Sequence, residues 1–92
     1  MSRRAFYADE DFVLSLEELN EQPFVHVTFS RFNKNVYKKL LEQWKEVLMR
    51  FYYLGYLQIF TYTKDPRIVN LVGGADKIGE YEGYEVYKWD LK

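Results

Sequence analysis

Residues 33–54 read NKNVYKKLLEQWKEVLMRFYYL, and the apolar members of that run, Val36, Tyr37, Leu40, Leu41, Trp44, Val47, Leu48 and Phe51, recur at intervals of three and four. That period winds them onto one face of a helix, with lysines and glutamates left for water. Asn33 or Ser30 can cap the start, and Gly55 stands where a left-handed terminator is wanted. Glu46, four residues before Arg50, has the favourable order for a helical ion pair. The helix is flanked by two stretches rich in β-branched and aromatic residues, Pro23–Phe29 and Leu57–Thr63, both of which read as strands. A strand, a long helix and a second strand in that order favour parallel strands joined by a crossover. Pro23, lacking an amide hydrogen, suits a strand start.

Further out, Phe12–Leu16 is a short apolar run separated from Pro23 by the turn-like Asn20-Glu21-Gln22. Phe12, Leu16 and Leu19 also fit a helical stripe behind an aspartate cap; the neighbouring strand favours a hairpin. Beyond the second strand, Asp65-Pro66 starts a short helix whose apolar side is Ile68, Val69, Leu71 and Val72, stopped by Gly73-Gly74. Lys77–Tyr81 and Tyr84–Leu91 then form either a hairpin turning at Glu82-Gly83 or one bent strand with irregularities at Gly79 and Gly83; the hairpin is preferred. The expectation is an α/β chain of the α+β kind: a single domain over residues 1–92 with a mixed, mostly antiparallel sheet, one long helix and one short one.

Composition bounds the chemistry. Ninety-two residues support one modest core, and 48% hydrophobic against 29% charged residues is too apolar for a disordered chain. The absence of cysteine removes disulfides, thiolate nucleophiles and thiolate metal sites. A lone histidine, His26, cannot assemble a triad or a zinc site by itself, so no metal is expected. No apolar run approaches the roughly 18 residues of a membrane span, and the opening residues do not read as a secretory signal, so a cytoplasmic location is expected. The net charge of −1 gives no overall pull toward nucleic acid.

That near-neutrality is a cancellation. Asp9, Glu10, Asp11, Glu17, Glu18 and Glu21 form an acidic block without a base, whereas Arg31, Lys34, Lys38, Lys39, Lys45 and Arg50 dominate the segment after it. Internal pairing or solvated surface is the ordinary outcome of such blocks. Aromatic residues are 20% of the chain, enough either to enlarge a small core or to leave a surface for a partner.

The order strand, long helix, strand, Asp-Pro helix, glycine turn and closing strands through Gly83-Tyr84-Glu85-Val86-Tyr87 resembles the C-terminal half of the GNAT acyltransferases. In particular it resembles the compact acetyltransferase-like proteins of tailed bacteriophages. The likeness covers about residues 24–92. It implies a GNAT-like fold shortened at its N-terminal side, and a coenzyme A site at the mouth of the long helix, where backbone amides hold a pyrophosphate in a loop of the form Arg/Gln-x-x-Gly-x-Gly/Ala. Here that stretch is Arg31-Phe32-Asn33-Lys34-Asn35-Val36. The arginine matches, but Lys34 replaces the first glycine and Val36 the small residue, adding side chains where a phosphate would approach backbone. Arg31, Lys34 and Asn35 are therefore the candidate cofactor contacts. The family's second pattern, Asn-x-x-Ala-x-x-Leu-Tyr, aligned from Asp65, puts Val72 where a proton-donating tyrosine belongs. Tyr84 is the candidate substitute, with Tyr81 and Tyr87 nearby. His26, or a carboxylate such as Glu17 or Glu18, is the candidate general base.

These departures favour a noncatalytic, phage-encoded protein-interaction module in the cytoplasm, using no cofactor. It would dimerise through its shortened sheet, which leaves an unpaired edge. The alternative is a divergent acetyl-CoA-dependent N-acetyltransferase assembled as a homodimer. Nucleic acid stands a distant third.

Overall fold

The computed structural model describes residues 3–91. They form an α+β domain with one mixed six-stranded sheet and two helices. The strands are β1 (Arg4–Ala8), β2 (Phe12–Leu19), β3 (Gln22–Phe29), β4 (Gln58–Thr63), β5 (Asp76–Tyr81) and β6 (Tyr84–Asp90). The helices are α1 (Lys34–Tyr53) and α2 (Arg67–Val72). In the sheet the order is β1-β2-β3-β4-β6-β5. Every neighbouring pair is antiparallel except β3 and β4, the two strands that α1 connects, which run parallel.

Local chemistry accounts for the element ends. Asn33 is extended (φ −155°) and its side chain accepts from the Val36 amide at 3.0 Å, which satisfies one of the first-turn donors. At the other end Gly55 takes φ +97°, and the Tyr56 amide reaches back to the Phe51 carbonyl at 3.1 Å as in a glycine-terminated helix. Two of the three hairpins turn on two residues with positive φ: Asn20 and Glu21 between β2 and β3, Glu82 and Gly83 between β5 and β6. Two-residue loops of this hand match the twist of the strands they join. Gln22, read from the sequence as part of the turn, belongs to β3, where it pairs with Leu19.

The sequence reading assigned no strand to Arg4–Ala8. This five-residue segment lines up along β2 with a bulge between Ala5 and Tyr7, which breaks the alternation that would have marked it. The Lys77/Gly79 irregularity places a second bulge in β5, so each outer strand is bent.

One face of the sheet is covered. Phe12 and Leu14 of β2, Val25 of β3, Ile59 of β4 and Trp89 of β6 meet Val36, Leu40, Trp44, Val47 and Phe51 of α1 in one buried cluster. Val69 of α2 joins them, and the Trp89 indole donates to the Gly73 carbonyl at 2.8 Å, tying β6 to the end of α2. At about 1.5 Å per residue, the 20 residues of α1 make a helix whose length is comparable to the 33 Å extent of the molecule. The opposite face, bearing Phe24, His26, Phe60 and Tyr62, has no helix over it among the described residues.

Two stability measurements check this account. Leu40 is 1% exposed at the centre of the α1 face, so Leu40→Ala is expected to cost about 2–5 kcal/mol, read as a lower urea midpoint at unchanged slope. Glu21 holds φ +64°, a conformation that costs a side-chain-bearing residue about 1–2 kcal/mol. Glu21→Gly should raise the urea midpoint, although the gain is reduced by the greater freedom of glycine in the unfolded chain.

Candidate functional site

The acidic block folds back on the bases that follow it. Asp9 accepts from the Asp11 and Phe12 amides at 2.8 and 3.0 Å, closing the turn into β2. Lys39 of α1 reaches Asp9 at 2.7 Å and Asp11 at 2.6 Å, and Arg31 donates to Asp11 and approaches Glu10 at 3.3 Å. The Asp11 carbonyl also accepts from the Ser30 and Arg31 amides. These contacts bolt the β3–α1 connection to the start of β2. Hydrogen bonds from Lys39, then from Tyr7 or Arg31, hold both aspartates below the usual carboxylate range, and Lys39 is pushed up in return.

That network decides where the candidate cofactor residues stand. Arg31 is occupied by Asp11 and Glu10, while Lys34 and Asn35 begin α1 on the exposed surface. Val36, expected from the sequence to crowd the helix mouth, is 2% exposed and belongs to the core beneath it. None of these four residues lines the cleft between β3 and β4.

The cavity lies elsewhere. β3 and β4 are bridged at a single position, Phe24 opposite Phe60, whose rings stack with centroids 5.3 Å apart. Toward the carboxyl ends of both strands a cleft of about 200 Å³ is lined by Val25, His26 and Val27 on one side and Thr61, Tyr62 and Thr63 on the other. Leu40, Trp44, Val69 and Trp89 form its apolar wall on the helical side, and Arg3, Lys64 and Tyr84 stand at the opposite side. A crevice beyond the carboxyl ends of parallel strands is where open α/β sheets characteristically bind ligands. With liquid water taking about 30 Å³ per molecule, the space holds roughly half a dozen water-sized groups.

Three of the sequence candidates, His26, Glu17 and Tyr84, meet there, together with residues the sequence reading missed. His26 Nε2 lies 2.9 Å from Glu17 Oε1, and the Tyr62 hydroxyl donates to the same oxygen at 2.8 Å. Arg3 donates to the Tyr62 hydroxyl at 3.1 Å and lies 3.7 Å from Glu17. The His26 and Tyr62 rings are in edge contact at 4.8 Å, and Tyr62 meets Tyr84 at 5.3 Å. Glu18, the other carboxylate considered, lies opposite Pro23 and is exposed; Tyr87 points into the core and Tyr81 into solvent.

Protonation follows from the surroundings. Burial would raise Glu17, but hydrogen bonds from Tyr62 and His26 and the nearby Arg3 charge outweigh it, leaving Glu17 below its ordinary value and ionised at neutral pH. Burial lowers His26 despite the Glu17 hydrogen bond, so the ring is neutral. An ionised carboxylate only accepts, so Nε2 carries the hydrogen and Nδ1 the lone pair. The result is a neutral imidazole, oriented by a carboxylate, in the wall of a cleft.

Trp44 adds a further polar group: its Nε1 is the one fully buried side-chain nitrogen or oxygen without a hydrogen-bond partner among the described residues. The ring packs edge-on against Trp89 at 4.8 Å. A signal for Tyr62 was present in the sequence, since two-residue alternation puts it on the open face with Phe60. Nothing local marked Arg3 or Trp44.

Among the described residues no helix is long and apolar enough to cross a membrane, and no group of three or more potential side-chain ligands could hold a metal. No family model, curated protein or solved structure matches the chain.

The pH dependence of stability checks the protonation states. A histidine lowered on folding binds fewer protons than in the unfolded chain, so stability should fall as pH drops below about 6.5. The depressed Glu17, Asp9 and Asp11 add a second loss below about pH 4.5 by the same sign. Urea titrations of wild type and His26→Gln between pH 7.5 and 3.5 should show the first decline in wild type only.

Proposed function

We propose that this chain is a GNAT-like domain that binds the acyl end of an acyl thioester, such as acetyl-coenzyme A, in the cleft between β3 and β4 and transfers the acyl group to an amine. The observation that carries this reading is the convergence on one cleft of an apolar wall and the Glu17–His26 pair. The resemblance in element order supports it. A volume of about 200 Å³ suits a small acyl group with part of its carrier, leaving a nucleotide outside. His26, through Nδ1, takes the proton released as the amine attacks the carbonyl; Glu17 keeps the ring in the required tautomer and stabilises the imidazolium that forms. Tyr84, across from His26, is the candidate proton donor to the departing thiolate. Lys34 and Asn35 remain candidate phosphate contacts at the surface; Arg31 could join them only by leaving Asp11.

A second reading, a noncatalytic phage interaction module, is favoured by a different observation. Tyr53 and Leu57 are 78% and 77% exposed, with Leu54 and Met49 beside them at the end of α1. Contiguous apolar residues of this kind suit a protein contact, including a second copy of the chain.

Because Trp44 and Trp89, the chain's only tryptophans, both line the cleft, intrinsic fluorescence reports its occupancy. Titration with acetyl-coenzyme A should change the emission with micromolar affinity, and Lys34→Glu should weaken binding. With an amine acceptor, His26→Gln should lower kcat on the order of 10²-fold or more while leaving binding within a few fold. A titration with no fluorescence change and no heat removes this reading and leaves the interaction module.

A further inference from the structure

Arg3, next to the start of β1, reaches the cleft through one group. Its guanidinium donates to the Tyr62 hydroxyl at 3.1 Å, stands 3.7 Å from the Glu17 carboxylate, and lies over the Tyr62 ring at 5.8 Å from the centroid. A carboxylate, a phenol oxygen and an aromatic face converging on one planar cation make a recognisable guanidinium environment. The two sides of the contact differ in how firmly they are held. The Glu17 side chain is 11% exposed, and the neutral donors His26 and Tyr62 fix its Oε1. The Arg3 side chain is 46% exposed. Removing the guanidinium would therefore leave the carboxylate in place, still ionised and beside an open cleft. Lys64 Nζ, held over the Tyr84 ring at 4.9 Å, is the one cation besides Arg3 that lines the cleft and opposes a positive ligand; the neutral His26 adds no further positive charge, so the attraction comes from the Glu17 carboxylate.

We propose that the Glu17–Tyr62 corner at the mouth of the cleft is a guanidinium-binding subsite, filled in this structure by the chain's own Arg3, for which a guanidinium-bearing ligand competes. The inference rests on the cleft being the ligand site and extends that reading to a second group on the molecule bound there. Arg3 then acts as a displaceable plug: the ligand must exchange one guanidinium for another, which lowers its apparent affinity by the fraction of molecules with the corner open. An alkylammonium could reach the carboxylate but lacks the planar fork that engages carboxylate and phenol oxygen together.

The test uses agmatine as the probe, with 1,4-diaminobutane, which has an ammonium in place of the guanidinium and the same number of charges, as the comparator and the His26 ring resonances as the readout. Arg3→Ala should bind agmatine on the order of tenfold more tightly than wild type and prefer it to 1,4-diaminobutane. Adding Glu17→Gln to Arg3→Ala should abolish the gain. Should that double variant fail to fold, Arg3→Ala with Tyr62→Phe keeps the ring and the carboxylate and should bind several-fold more weakly than Arg3→Ala alone. Equal agmatine affinities in wild type and Arg3→Ala, or a gain that survives both second substitutions, would overturn the proposal. Acetyl-coenzyme A is titrated into the same two proteins. Agmatine binding without coenzyme binding keeps the guanidinium subsite and removes the acyl-donor reading, whereas coenzyme binding without any agmatine gain overturns the subsite alone.

Discussion

The parallel junction between β3 and β4 is held by one bridge, Phe24 to Phe60, and the rest of the structure is arranged around its shortness. Parallel strands need a long crossover, which α1 supplies, and the same helix covers the place where the strands separate. Leu40 and Trp44 close the gap from the helical side. His26 and Tyr62 touch across it on the other. Had the two strands stayed bonded to their ends, the sheet would be continuous and the polar cluster would be an ordinary surface patch.

Two of the charge clusters do different work. Asp9, Asp11, Arg31 and Lys39 join the β2 start, the β3–α1 loop and α1 itself, so the blocks that cancel in the net charge also pair in space. They consume the arginine that a phosphate site at the helix mouth would want. Glu17, His26, Tyr62 and Arg3 form the second system, smaller and more buried, and its members surround space instead of closing a loop. The bulges in β1 and β5 bear on self-association: a bent outer strand is a poor template for extending the sheet, which shifts attention from the edges to the apolar end of α1.

Much of the fold was legible because its signals are local. The three-and-four spacing from Val36 to Phe51 marked α1, Asn33 and Gly55 marked its ends, and Glu82-Gly83 marked the last hairpin. β1 was not legible, since five residues with a bulge carry no alternation and are placed by distant partners, by pairing with β2 and by the contact of Phe6 with Phe51 of α1. The candidate site was half legible. His26, Glu17 and Tyr84 could be named as chemically able groups, but Tyr62 lies 45 residues from Glu17 and Arg3 lies 59 from Tyr62, so no spacing rule connects them. Val36 carried two signals, a family-pattern position that suggested an obstruction and a helical phase on the apolar face, and the structure buries it in the core.

The amino-acid sequence by itself marked both helices, every strand except β1, the inward face of α1, and the absence of cysteine chemistry, because periodicity, caps and turn residues act within a few positions of one another. Only the tertiary structure decided that β3 and β4 part after one bridge, that His26 is neutral beside an ionised Glu17, and that Arg3 lies across the opening. Those outcomes depend on desolvation and on contacts between distant strands, and neither exists until the sheet has assembled against α1.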